Sequence, residues 1–378
     1  MSESYWIDTV PLQRRFPPLE GSRQTEFAVV GGGIAGLAAA YFLSKAGKKV
    51  ILIEQNTLAS GDTGYTTAFV SHFLDNIPAT IKAWPAGEEA LGLFQSIVEA
   101  ESIDSEFRRV PSLAFSLSAT ALEKFKSDAA ALEKLNPNIK FLDGPSASAE
   151  CRFKVAAAIS IPEEAQFHIR KFLLGLAEAS VKKGAVFFEE TGVLNVSADG
   201  RKVFTEKGEI ECEKVLVTSG MALPNFPEVN SLLTSYFTYV IAADFPEPKP
   251  FGDYLFWDDA EPYHYFRWVS PSKVILGGED RLMKGPRPAA NPHENLKKFL
   301  EELTGRAAVL THAWQGSIFM TKDSFPYYGA HPKYAENIVF ATGFGGNGMT
   351  FGMLAGRALT DAALGQKNKF LEMFSFNR

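Results

Sequence analysis

"EFAVVGGGIAGLAAAYFLSKAGKKVILIEQ", Glu26 to Gln55, is read in three steps. Phe27 to Val30 is a short apolar run of strand length. Gly31-Gly32-Gly33 then imposes a turn, after which Leu37, Ala40 and Leu43 recur on one face of a helix that ends near Gly47. A second apolar run closes at Glu54, so the order is β-α-β. Phe27 to Leu43 is nearly long enough to cross a bilayer, but its clustered glycines argue for strand, turn and helix instead of one continuous span.

Gly31, Gly33 and Gly36 supply the pattern GxGxxG. The first makes the tight turn, the second lets a pyrophosphate approach the backbone, and the third lets helix and strand pack closely. Phosphate charge then meets the helix start at Ile34 and Ala35. Glu54, with Gln55 beside it, ends the second strand, where a carboxylate accepts from ribose hydroxyls and repels a ribose phosphate. This favours FAD or NAD over NADP and leaves those two open. A glycine-rich turn without a ligand is the alternative reading.

Outward from this unit, a chain of 378 residues that is 46% hydrophobic exceeds what one core usually holds, and two lobes are expected. The net charge of -6 comes from interspersed residues, without a basic stripe, which argues against a nucleic-acid partner. Cys151 and Cys212 are the only cysteines, and neither sits in a CxxC or CxH pair. A disulfide framework, a zinc site and an iron–sulfur centre therefore lack ligands, no metal is expected, and a reducing cytoplasm fits. The first residues, "MSESYWIDTVPLQRRFPPLEG", lack the apolar core of a signal peptide and read as a leader over the surface.

After Glu54 comes "LASGDTGYTTAFVSHFLD", in which Ser60, Thr63, Thr66 and Thr67 can donate to phosphate or ribityl oxygens or simply build a turn. From about Glu88 to Leu142 the spacing predicts charged amphipathic helices covering a sheet. A helix, the strand Val186 to Glu189, a hairpin near Asp199-Gly200 and the strand Lys214 to Thr218, running out at Ser219 and Gly220, restore α/β character. Ser231 to Gly278 is β-like and aromatic, and a short helix spans Pro292 to Leu303. The chain thus passes between two lobes more than once.

The β-α-β stretch, "SGDTGYTTAF", "PYHYFRW…ILGGED", "MTKDSFPYYG" and "VFATGFGGNGMTFGMLAGRALTD" together resemble the FAD-dependent oxidoreductases of the D-amino acid oxidase superfamily, from about Ser4 to the C-terminus. The "SYW" start is similar to gamma-glutamylputrescine oxidase-like members, and the TTA and GGED segments to members carrying a C-terminal Rieske domain. The resemblance implies an α/β (α+β overall) fold, with a discontinuous Rossmann-like FAD-binding domain (1–84, 155–224 and 325–378). A mostly antiparallel-sheet substrate domain (85–154 and 225–324) completes it. It also implies that Gly31, Gly33, Gly36 and Glu54 hold the ADP half, that Thr63 to Ala68 follow the pyrophosphate, ribityl or ring, and that the Val193 backbone meets adenine.

Three departures qualify it. No cysteine stands in "QGSIFMTKD", where covalent-flavin members have one, so the FAD should be non-covalent. The lysine with which sarcosine oxidase holds a substrate carboxylate is absent, because Gly348 is followed by Met349 and Thr350; an α-carboxylate bound that way is in doubt. The sequence ends at Arg378 without a Rieske domain, so an iron–sulfur partner would be a separate chain.

One FAD has one pyrophosphate, already matched by Gly31 to Gly36, so the second glycine unit needs another negative partner. Gly343, Gly345, Gly346 and Gly348 are placed near the flavin ring, with backbone N–H groups at Asn347 to Thr350 facing N1 and the C2 oxygen. Gly352, Ala355 and Gly356 let that helix pack tightly. For the substrate, Arg267 is the candidate anion clamp, and His72 could orient or deprotonate an amine. Tyr263, Tyr265 and Trp268 are candidate pocket walls, and Lys273 is a weaker candidate for promoting oxygen reactivity. The expected reaction is hydride transfer from the carbon beside a neutral amine to flavin N5, giving an imine that hydrolyses. Oxygen or a redox protein would take the electrons. The alternatives are a flavin-binding subunit, a dehydrogenase serving a partner protein, and an NAD-linked dehydrogenase.

Overall fold

The computed structural model describes residues 3–72, 74, 76–245, 249–286 and 290–378. The Glu26–Gln55 stretch forms the strand Phe27–Val30, the helix Ile34–Lys45 and the strand Val50–Ile53. These strands lie inside a six-stranded sheet ordered Tyr327–Ala330, Ile338–Thr342, Lys214–Val217, Phe27–Val30, Val50–Ile53, Val186–Phe188. Neighbours are parallel except at the antiparallel Tyr327–Ala330 edge. The strands are apolar at consecutive positions because both faces are covered. Val29, Leu52, Leu216 and Val339 belong to the core shared with the helices Ile34–Lys45, Ile169–Lys182 and Gly348–Ala363. Ala28, Val30, Ile51 and Val215 pack instead with Val196, Val203 and Ile210 of a four-stranded layer. Among the described residues, no helix is long and apolar enough to cross a membrane.

Two of these helices, Ile34–Lys45 and Gly348–Ala363, follow strands that both run parallel to Lys214–Val217. Their N-termini therefore emerge at the same edge of the sheet, the carboxyl ends of its strands, where open α/β sheets bind ligands. Their axes approach closely because the contact is made of small residues. A Cβ on Gly356 would lie 2.3 Å from Ala38 Cβ, and one on Gly352 would lie 2.4 Å from Ile34 Cγ2.

The second sheet runs Val309–Met320, Thr234–Asp244, Lys273–Leu282, His264–Trp268, Leu255–Asp258, Arg108–Ser116, Ala157–Gln166, Phe69–Val70, with Lys140–Asp143 also paired to Ala157–Gln166. It is antiparallel except where Leu255–Asp258 meets Arg108–Ser116. An aromatic core with Phe115, Phe256, Phe266 and Trp268 lies against the helix Pro292–Thr304.

Three expectations need correction. The helix expected from about Glu88 starts at Ile77, capped by the Asn76 side chain, and runs through Pro85 to Glu101. The strands Arg108–Ser116 and Ala157–Gln166 fall within or beside the stretch read as helical, and they place residues 108–116 and 157–166 in one sheet with Phe69–Val70; the boundaries at 84 and 155 thus cut across a sheet. Finally, the N-terminus is a surface leader only in part: residues 11–15 are exposed, but Tyr5–Thr9 is a helix whose Trp6 and Ile7 are each 1% exposed.

Candidate cofactor and substrate cleft

Between the two sheets, at the edge where both glycine-headed helices begin, lies a cleft of about 900 Å3 of atom-free space, its open mouth included. Gly33 is the N-cap of the first helix and has no side-chain cap, and the N-cap of the second, Asn347, also lacks one. Apart from the Ile34 N–H, which donates to Thr63 Oγ1 at 3.4 Å, the first-turn N–H groups of the two helices have no N-cap side-chain acceptor and suit a ligand. The cleft wall includes Gly33, Ile34 and Ala35 from the first unit and Gly343, Gly345, Gly346, Gly348 and Met349 from the second. Thr63, Thr66, Thr67 and Gly220 complete the part expected to bind cofactor, and Tyr265 stands on the substrate side.

Gly31 and Gly36 stand beneath the turn. Gly31 has φ +109°, and a Cβ on Gly36 would lie 1.9 Å from the Gly31 carbonyl oxygen. Glu54 accepts from the Gly32 N–H at 2.7 Å and the Asn56 N–H at 2.8 Å, which leaves further lone pairs for hydroxyl donors. Burial raises its carboxyl above the usual range, against those N–H bonds. Gln55, Ser219, Asn347 and Thr350 are outside the cleft wall, as is Val193, half-buried on the strand Val193–Val196. Ala68 is buried with φ +58°, turning the chain out of the loop.

The loop from Asp62 to Thr67 is held from behind by side chains far away in sequence. Four successive carbonyls each accept one: Gly64 from Ser4 Oγ (2.8 Å), Tyr65 from Trp314 Nε1 (2.8 Å), Thr66 from Trp6 Nε1 (2.6 Å) and Thr67 from Arg267 Nε (2.8 Å). Asp62 accepts from the Ser317 N–H at 3.1 Å, and burial raises its carboxyl above the usual range. With its carbonyls pinned outward, the loop presents Thr63, Thr66 and Thr67 to the cleft.

This arrangement corrects the role expected of Arg267. It is 2% exposed and outside the cleft wall, lies over the Trp6 ring at 5.3 Å, and donates also to the Phe167 carbonyl at 3.0 Å. Burial, with repulsion from Arg108, pulls its pKa down to about 9. An arginine walled in by carbonyls holds the loop and reaches no substrate anion. His72 is also outside this cleft, stacked on Trp84 at 4.2 Å. Trp268 is a core residue donating to the Phe251 and Gly252 carbonyls, and Lys273 pairs with Asp244 at 2.7 Å.

Tyr265 hydrogen-bonds Thr238 Oγ1 at 2.8 Å, and burial raises its pKa. Tyr263 donates to Asp280 at 3.0 Å, and its hydroxyl stands 3.5 Å from where a Cβ on Gly346 would lie. Sequence reasoning missed Asp62, Thr238, Ser317 and Phe344, which also line the cleft. Asp62, Phe344 and Ser317 lay inside the quoted "SGDTGYTTAF", "VFATGFGGNGMTFGMLAGRALTD" and "QGSIFMTKD" stretches, whereas Thr238 carries no local signal.

The residues fit FAD. An uncapped helix start beside close-packed glycines suits a pyrophosphate, three threonines follow along the cleft, and a second uncapped helix start suits a further negative group. Neither cysteine lines the cleft, and both are buried.

Comparison with known proteins agrees. The chain is 26% identical over 394 residues to YhfW of Bacillus subtilis (strain 168), provisionally named a Rieske 2Fe-2S iron-sulfur protein, covering 100% of this chain and 75% of that one. Glycine oxidase of the same organism is 24% identical, covering 94% and 98%. The crystal structure of glycine oxidase from Geobacillus kaustophilus shares the fold, with TM-score 0.82 and 21% identity over 94% of this chain and 99% of that one. Residues 26–362 match the model of the DAO family, FAD dependent oxidoreductase, and the chain belongs to that family.

Proposed function

We propose that this enzyme oxidises the C–N bond of a small amine or amino acid, and that the amino end of the substrate is what its site recognises. One observation carries this reading: among the described residues lining the cleft, Asp62 is the only one with a charged side chain, and no arginine or lysine is present. A carboxylate brought into such a site would lose water without gaining a cation. A neutral amine is satisfied by hydroxyls and carboxylates, and the wall opposite the glycine loop offers the Tyr265–Thr238 pair, with Tyr263–Asp280 beside it. FAD, when bound, supplies the two-electron acceptor. The chain orients the amine, keeps water out with Phe319 and Phe344, and meets negative charge on the cofactor with the start of the Gly348–Ala363 helix, where Gly348 and Met349 line the cleft. The oxidoreductase and glycine oxidase names among its relatives support the reaction class.

The test is anaerobic bleaching of the visible flavin band by a panel of simple amines and the matching α-amino acids. Bleaching by amines, faster than by their carboxylated counterparts, is expected. A flavin that stays oxidised with every amine overturns the reading, and one bleached only by amino acids overturns the amine preference. Oxygen uptake after bleaching then distinguishes an oxidase from a dehydrogenase.

A further inference from the structure

A second cleft, with about 520 Å3 of atom-free space including its mouth, lies between the helix Ile77–Glu101 and the strands Arg108–Ser116 and Ala157–Gln166. It shares no wall residue with the first. His72 lines it, with a side chain only 4% exposed. The ring lies flat on Trp84, with centroids 4.2 Å apart and planes 21° from parallel, and a Cβ on Gly87 would meet its Cδ2 at 2.6 Å. It therefore has no room to turn.

Glu164, fully buried, lies behind it. This carboxylate accepts the His72 backbone N–H at 3.0 Å and the Ser71 hydroxyl at 3.3 Å, and Nδ1 stands 3.4 Å away. With Nδ1–H turned to Glu164, the lone pair is on Nε2. Nε2 is buried and has no hydrogen-bond partner among the described residues. A buried acceptor without a donor costs about 1–3 kcal/mol, so a donor belongs there.

The other groups indicate its charge. Glu88 and Glu163 line the cleft, and Glu88 is held against the indole by Trp84 Nε1 at 3.3 Å. Among the described lining residues the one guanidinium, Arg109, is turned to Gln95 Oε1 at 3.2 and 3.3 Å. Carboxylates thus outnumber the cation among the described lining residues. We propose that this cleft is a second binding site, for a small primary ammonium ion, which donates to His72 Nε2 with its charge toward Glu88 and Glu163. The site does not depend on the amine-oxidation reading, because the test follows His72 and not turnover.

The test uses the FAD-loaded protein, 15N-labelled at histidine, titrated with ethylammonium chloride and separately with sodium acetate. His72 signals are identified by their loss in His72→Gln. Ethylammonium should shift them saturably and acetate should not. Glu88→Gln and Glu163→Gln change exposed residues, so the fold is retained, and the two together should weaken the titration about fivefold or more. His72 signals unmoved by ethylammonium, moved by acetate instead, or titrating with the same affinity in the double variant would each overturn the proposal.

Discussion

The two glycine units look interchangeable in sequence and differ in space. At Gly31 to Gly36 the missing side chains are required by the protein itself: a Cβ on Gly31 would lie 2.8 Å from the Thr218 carbonyl oxygen, and one on Gly36 only 1.9 Å from that of Gly31. At Gly346 and Gly348 the space is open: the nearest atom is the Tyr263 hydroxyl at 3.5 Å in the first case, and nothing lies within 4 Å in the second. The first unit needs glycine to fold, whereas the tip of the second keeps space at the cleft. One pattern therefore serves two physical purposes, and substitution separates them.

The largest effect is expected for Gly36→Ala. The obstacle is backbone, which cannot yield like a side chain, so stability should fall by about 3 kcal/mol or more, read by denaturant unfolding. A loss below about 1 kcal/mol would erase the contrast between the units.

Acid should act on the loop between them through His168, which is packed edge-on against Trp6 at 4.9 Å and bonded to Thr9 Oγ1 at 2.9 Å. Burial chiefly, with help from Lys171 and Arg267 and against Glu106, lowers its pKa to about 4. The unfolded chain takes up that proton near pH 6.5, the folded chain only near 4, so stability is intact above about 6.5 and declines as pH falls toward 4. The loss approaches about 3 kcal/mol and should be absent in His168→Gln. Loss of FAD over the same pH window, followed by fluorescence of the released flavin, would tie the N-terminal helix to cofactor retention.

Trp6→Phe keeps an aromatic ring but removes the N–H that Thr66 accepts together with part of a buried indole. The FAD dissociation constant should rise about five- to tenfold, equivalent to about 1 kcal/mol, and the melting temperature should fall as well, because the smaller ring leaves a void. An unchanged constant would mean that the loop is held well enough by Ser4, Trp314 and Arg267.

Gly348→Ala should have the smallest effect on the fold. With φ −55° and free space around it, alanine fits and should stabilise the helix by up to about 1 kcal/mol. FAD affinity or reduction potential should nevertheless worsen. If both stay unchanged, the open space at Gly348 has no part in holding the cofactor.

The sequence by itself determined what is encoded locally. The β-α-β unit, the two helices headed by glycine and the acid at Glu54 were legible because strand and helix periods, tight turns and apolar runs extend over a few residues. The loop threonines were legible by type and position. Only the tertiary structure decided who meets whom. Arg267 looked like an anion clamp because its chemistry suits one, yet its partners Thr67 and Phe167 are 200 and 100 residues away. Trp6 looked like part of a surface leader until the Thr66 carbonyl came within reach, 60 residues on. The strand Ala157–Gln166 became recognisable only through its pairing with Arg108–Ser116. Burial, and the hydrogen bonds a buried group must find, depend on distant segments brought together by the whole core, and no local window contains them.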